Sequence, residues 1–354
     1  MNFELDETQA AMAGLARDVA SGHGGHERAR DVERANGIDR PAWSALGITG
    51  LLAAVLSGDG GVVGACELAD ALGREVVSLP AFALLTVLMM LGTLDTLDQP
   101  RLDRIMAGDE LVTLALFEEG TTRASAARTR VTDGRMTGLK PVVPAAAEAS
   151  AAIVAAQSEQ GPGLFLVELD DPAATRIQVR TTDRMSAAHV QFRQATATQL
   201  GGAAAVVRAE QIASVLACAS VLGLGRRAVE GAATYVSERH QFGRPIASFQ
   251  SPVLRLADAH IDLEAMRVTM QQAAWQLDAG QDAATAVSVA KWWTATGGHR
   301  TLHTAQHLHG GIGADIEFPA HRYFLRGKQL LDTLGGAAAH ASRLGTELAA
   351  GARG

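Results

Sequence analysis

One interruption constrains this chain more than any other stretch. It is Ser237-Glu238-Arg239-His240-Gln241-Phe242-Gly243-Arg244-Pro245-Ile246-Ala247-Ser248-Phe249-Gln250, set between two long helical patterns. Before it, Ala213 to Tyr235 has no proline and repeats Val215, Leu216, Ala219, Leu222, Val229 and Ala233 at helical spacing. After it, Pro252 to Leu277 does the same through Val253, Leu256, Ile261, Met266, Met270 and Ala273, with Gly280 as the stop. The spacing predicts two helices packed against each other, joined by a tight Gly243 to Pro245 turn. That corner carries Arg239, Phe242 and Gln250, where a guanidinium fork can grip phosphate and an aromatic ring can face a base. A plainer reading has Arg239 bonding the terminal carbonyls of its own helix.

A glycine-rich motif follows further along, Gln306-His307-Leu308-His309-Gly310-Gly311-Ile312-Gly313, continued by Glu317-Phe318-Pro319, Arg322 and Arg326. Arg-x-x-Phe-Gly-x-x-Ile-x-x-x-Gln and this second motif, in this order, resemble the flavin-contacting signatures of the acyl-CoA dehydrogenase family. The resemblance extends over nearly the whole chain. It implies FAD as the cofactor, with Arg239, Gln241, Phe242, Gln250, His307, Gly310 and Gly311 as cofactor-binding residues. In that family such residues reach across a subunit interface to the neighbour's FAD.

Composition narrows the classes. With 354 residues, 47% apolar and 19% charged, the chain is long and apolar enough for two or three packed layers. A formal charge of −7 and no Lys/Arg-rich tract argue against a nucleic-acid partner. The opening Met1-Asn2-Phe3-Glu4-Leu5-Asp6-Glu7 lacks a basic and apolar leader, and no run approaches the roughly 20 apolar residues of a membrane span. A cytoplasmic protein without a membrane partner is expected. Cys66 and Cys218 sit in apolar helical surroundings and read as buried thiols.

In chain order, Asp6 caps a first helix that ends by Gly22 to Gly25, and helical pieces follow at 40–46, 64–77, 80–94 and 101–107. Leu51 to Leu56 and the Gly58-Asp59-Gly60-Gly61 loop read as a crossing between helices. No Lys-Ser/Thr follows to make that loop a phosphate cradle. From 112 to 194 the segments become short and alternating, with Asp133-Gly134 as a hairpin turn. From Ala205 on, four long helices are expected, the last broken at Gly335-Gly336. Trp292 and Trp293 read as core or interface anchors, and His303, His307 and His309 lack the partners of a metal site. The fold class is α+β, with an N-terminal α-helical domain (1–110), a middle β-barrel or sheet domain (111–204) and a C-terminal four-helix bundle (205–354). This is the order that the resemblance implies.

The chemistry implied by the resemblance is removal of hydride from an acyl thioester by flavin while a glutamate takes the α-proton. Here the sequence departs from the family. Thr333-Leu334-Gly335-Gly336-Ala337 puts Gly335 at the base position, and Ala213 occupies the family's alternative position. Leu116-Phe117-Glu118-Glu119-Gly120-Thr121-Thr122 lacks the family's Gly-Ser, and Pro141-Val142-Val143-Pro144 replaces the aromatic and threonine beside the flavin ring. The ring pocket is therefore incomplete while the interface motifs are kept. This partition resembles the non-catalytic subunits of heterotetrameric (α2β2) dehydrogenases acting on steroid side-chain CoA thioesters, which share the wording at 307–313 and 321–325. The implied partners are a paralogous catalytic subunit, an acyl-CoA and an electron-transfer flavoprotein. Two other readings stay open. One is a self-sufficient enzyme with Glu210, otherwise a solvated surface residue, as an unusual base; the other is a flavin-free scaffold.

Overall fold

The computed structural model describes residues 3–94 and 97–351; Met1 and Asn2 of the opening stretch lie outside them. Asp6 caps the first helix as expected: its carboxylate accepts from Gln9 N–H at 2.8 Å, and the Gln9 side chain accepts from Asp6 N–H in return. Seven helices form the N-terminal region: α1 Glu7–His23, α2 His26–Arg34, α3 Arg40–Ile48, α4 Leu51–Ser57, α5 Gly61–Arg74, α6 Ala81–Leu94 and α7 Gln99–Ala107. The α2 helix is not expected from the sequence. His-Glu-Arg-Ala-Arg-Asp-Val-Glu-Arg carries no apolar stripe and buries only Ala29, so it is fixed by ion pairs to the rest of the molecule.

The middle region holds β1 Val112–Ala115, β2 Arg130–Thr132, β3 Arg135–Pro144, β4 Ala151–Ser158, β5 Gly161–Glu168, β6 Ala174–Arg180 and β7 Ser186–Gly201. Asp133 and Gly134 both take positive φ (48° and 69°), the two-residue turn that matches strand twist. Pairing runs β4–β5–β7–β3–β2 and back to β4, with β1 added to β4 and β6 added to β7. Closure of this ring leaves few free edges. The strand β7 is far longer than its alternating stretch suggests. Its first part pairs with β3 and β6, its last part (Ala197 to Gly201) with β5, and Gln194 at φ 62° sits at a register shift within the β3 pairing.

The C-terminal region contains α8 Ala203–Glu238, a hairpin of β8 His240–Gln241 and β9 Arg244–Pro245, α9 Gln250–Asp278, α10 Ala284–Trp293, α11 His299–His309, α12 Ala320–Asp332 and α13 Ala337–Gly351. Between α10 and α11 the chain stays helical through a π segment, Thr294–Gly298. The last long helix is broken at Thr333 to Gly336, as expected. Among the described residues, α8 is the one helix long and apolar enough to cross a membrane, but 78% of its apolar window is buried inside the protein. It packs against α5, α6, α9, α10, α11 and α12, which accounts for its apolar composition.

Bare backbone sets the α5–α8 contact. A Cβ on Gly223 would lie 2.0 Å from Asp70 O, and one on Gly73 would lie 2.4 Å from Ser220 O. Ionic links join the same regions. Asp278 accepts from Val62 and Val63 N–H at 2.7 and 3.1 Å, capping α5 from the end of α9. Arg74 grips Glu230 with two bonds of 2.8 and 2.7 Å. Buried Arg326 donates to Val77 O at 3.1 Å and Ser78 Oγ at 2.7 Å, fastening α12 to the segment before α6.

Candidate functional site

The corner singled out in the sequence is a built feature. Leaving α8, Arg239 adopts an extended conformation and the chain turns through the β8–β9 hairpin, with Phe242 and Gly243 both at positive φ (54° and 78°). A left-handed phenylalanine costs on the order of 1–3 kcal/mol, and its ring is 92% exposed. Both costs are borne in a rigid arrangement. Phe242 meets Phe249 edge-on at 6.1 Å, and the Arg244 guanidinium lies 4.0 Å over the Phe249 ring.

Arg239, Gln241, Phe242 and Gln250 are all exposed on this corner. The Arg239 guanidinium has no hydrogen-bond or ion-pair partner among the described residues, so it does not bond the terminal carbonyls of its own helix. The second motif comes to the same end of the bundle. Tyr235, one turn before Arg239, stacks on buried His309 at 5.0 Å, and Phe318 closes the cluster at 5.3 Å from His309. His309 Nδ1 bonds Ala305 O at 2.8 Å, which turns this ring inward. His307 instead faces out, lining a groove of about 670 Å³ between α9 and α11 with Arg255, Asp258 and His303.

Gly310 takes φ 64° and ψ −143°, a region for glycine, and a Cβ on either Gly310 or Gly311 would meet nothing within 4 Å. The bare backbone of Gly311 is therefore not demanded by this chain's own packing; it leaves room for something outside the chain. Exposed Val253, Leu254 and Ile261 continue an apolar face along α9, and Ile312 adds to it from the glycine motif.

The inward-facing crevice is different. Where the three regions meet, a small apolar cavity of about 90 Å³ is lined by Leu79 and Phe82, by Val142 and Pro144 of β3, by Ser220 and Leu224 of α8, and by Thr333. As it stands, this space has room for a few waters. Beside it, Lys140 is fully buried. Its ammonium lies 2.8 Å from Glu118 Oε1, while Glu118 accepts from Arg128 and Thr129 N–H at 2.7 and 2.9 Å. Burial pulls the Lys140 pKa down to about 8 against the opposing pull of Glu118. This pair clamps the 116–122 segment onto β3.

The two positions that the resemblance implies for a base, 213 and 335, are held by alanine and glycine. Ala213 is fully buried in α8, and Gly335 sits at φ 97° with a Cβ position 3.2 Å from His340 Nε2. The loop around it is fixed by Lys291, which donates to Thr333 O at 2.8 Å, and by His340, which donates to Leu334 O at 3.0 Å. Glu210 corrects the expectation of a solvated residue. It is 8% exposed, Arg343 Nη1 lies 2.7 Å from its Oε1, and Ala124 N–H donates to its Oε2 at 2.9 Å. Both oxygens are committed to holding α13 and the 124–126 turn against α8. The sequence shows Glu210 near a family position, but its partner Arg343 lies too far along the chain for any spacing rule to link them.

Residues 200–343 match the family described as acyl-CoA dehydrogenase, C-terminal domain. The acyl-CoA dehydrogenase FadE27 of Mycobacterium tuberculosis is 33% identical over 99% of this chain and 99% of its own length. The chain belongs to the acyl-CoA dehydrogenase family. Two solved members of that family share its shape. One is a variant of the Tcur3481–Tcur3483 steroid ACAD, with a TM-score of 0.93 and 37% identity over 99% of this chain and 100% of the other. The second is the ChsE4–ChsE5 complex from Mycobacterium tuberculosis, with a TM-score of 0.89 and 33% identity over 99% of both chains. As a member of that family, the chain has the helical, sheet and helical regions in the expected order.

Proposed function

We propose that this chain is the non-catalytic subunit of a heteromeric acyl-CoA dehydrogenase, completing the FAD site of a paralogous catalytic chain. One observation carries the reading: the corner of Arg239, Phe242, Gln250 and the Gly310-Gly311 loop is built outward, whereas the inward crevice has about 90 Å³ and no base. FAD fits the outward corner. The unpaired Arg239 fork suits a phosphate, Phe242 offers its ring to a base, and Gln241, Gln250, His307 and the open backbone at Gly310 and Gly311 would hold the rest. When bound, the flavin accepts the hydride from the acyl β-carbon, and the carboxylate that takes the α-proton comes from the catalytic paralogue.

The substrate class is a steroid side-chain CoA thioester. That reading is supported by the steroid ACAD among the similar structures and by the pairing of two named chains in both similar complexes. An electron-transfer flavoprotein is the acceptor in this reading. This chain's part is to bind and orient: it closes the cofactor against water and adds positive charge at the phosphates. The test is expression alone and together with the paralogue. Acyl-CoA oxidation should appear only in the mixed complex. Turnover by this chain alone would overturn the assignment.

A further inference from the structure

A second polar groove, unrelated to the Arg239 corner, lies where α2, the β6–β7 turn and the segment before α12 meet. Its volume is about 670 Å³, within the range of small-molecule sites. Five arginines line it against two glutamates. In a chain of net charge −7 this is a local reversal, and like charges gathered in this way repel unless something anionic joins them.

The two glutamates are already committed. Glu33 holds Arg322 through two bonds of 3.0 Å, and Glu317 holds Arg30 at 2.8 Å. Three arginines are left. Arg34 has only exposed Asp31 at 4.0 Å, and the guanidinium groups of Arg180 and Arg184 have no ion-pair or hydrogen-bond partner among the described residues. Beside them, His321 is 5% exposed and its Nε2 lacks a partner. Burial, and then the Arg322 and Arg184 charges, hold this imidazole below its ordinary pKa, a second sign of a positive field.

The turn that presents Arg184 is rigid before any ligand arrives. Asp183 accepts from Thr181 Oγ1 and from Met185 N–H, and Thr182 N–H donates to Gln329 Oε1 at 3.2 Å. Pre-ordering lowers the entropy lost on binding. The inner end of the groove shares Met185 and Ser186 with the apolar cavity, so a charged mouth abuts an apolar floor.

The geometry points to a binding site for a phosphoryl-bearing small molecule of nucleotide size, its phosphates held by Arg34, Arg180 and Arg184. Three uncompensated guanidinium forks match a diphosphate better than a single carboxylate, which would leave most of the positive charge unmet. None of Arg239, Phe242, Gln250 or Gly311 lines this groove, so the site does not depend on the flavin assignment.

The test is calorimetric titration of the full chain with inorganic pyrophosphate, ADP and adenosine. Saturable pyrophosphate binding is expected. The double variant Arg180→Gln/Arg184→Gln should weaken it by roughly tenfold or more, the loss expected for charge-assisted bonds. ADP binding more tightly than pyrophosphate would mark a nucleotide as the ligand, equal affinity would mark the phosphates alone, and adenosine should not bind. Absence of saturable pyrophosphate binding, or binding that survives Arg180→Gln/Arg184→Gln, would overturn the proposal. Circular dichroism of the variants separates lost binding from lost folding.

Discussion

Glu210 illustrates how a single residue's environment decides its role. A general base needs a free oxygen within reach of the proton it removes, and both Glu210 oxygens are bonded within the protein. Glu210→Gln keeps an acceptor for Ala124 N–H but leaves Arg343, 9% exposed, without its opposite charge. The expected outcome is a loss of about 3 kcal/mol in stability, read by urea unfolding, with kcat of the mixed complex within a factor of two of the parent. His340 predicts a pH effect. Burial, followed by the Lys291 and Arg343 charges, pushes its pKa from 6.5 down to about 3. The folded pKa lies below the unfolded one, so the unfolded chain takes up the proton first, and stability falls as pH drops from about 6.5 towards 3. The slope from this group is up to about 1.4 kcal/mol per pH unit. His340→Gln, which can still donate to Leu334 O, should flatten that acid limb in a series of unfolding curves. Arg239 had two readings in the sequence, helix cap or ligand fork, and only its exposure and lack of an intrachain partner separate them. Arg239→Ala should weaken FAD retention by the mixed complex by about 1.5–3 kcal/mol, measured by flavin release.

At the scale of elements, local chemistry was readable where the responsible residues are close in sequence. Asp6 caps α1, Asp133-Gly134 turns the β2–β3 hairpin, and the break at Gly335-Gly336 separates α12 from α13. What was hidden depends on distant partners. The charged α2 helix is held by Glu33 to Arg322, the end of β7 is held by β5, and the π segment before α11 has no signal of its own in Thr-Ala-Thr-Gly-Gly. The candidate site divides in the same way. The outward motifs were legible as words, whereas the Lys140–Glu118 clamp is formed by two segments that the sequence separates. Lys140→Met should cost about 3–5 kcal/mol in thermal or urea unfolding by stranding the buried Glu118 charge. Adding Glu118→Gln should restore part of that loss, because the buried charge is gone while one of the Arg128 and Thr129 N–H groups loses its acceptor.

Across the whole molecule, the asymmetry between the two sides is the central feature. One face presents an unpaired arginine, a strained exposed phenylalanine, an open glycine backbone and an apolar stripe along α9; the interior presents an apolar cavity of about 90 Å³, with Ala213 and Gly335 in the helical C-terminal region. This asymmetry is what the proposed pairing with a catalytic paralogue accounts for. The most direct measurement is the flavin count of the complex formed with its catalytic paralogue, from flavin absorbance after denaturation set against the protein concentration of each chain. About one FAD for every pair of chains is the predicted result, because in the proposed assignment the paralogue supplies the ring pocket. One FAD for every chain would contradict the account.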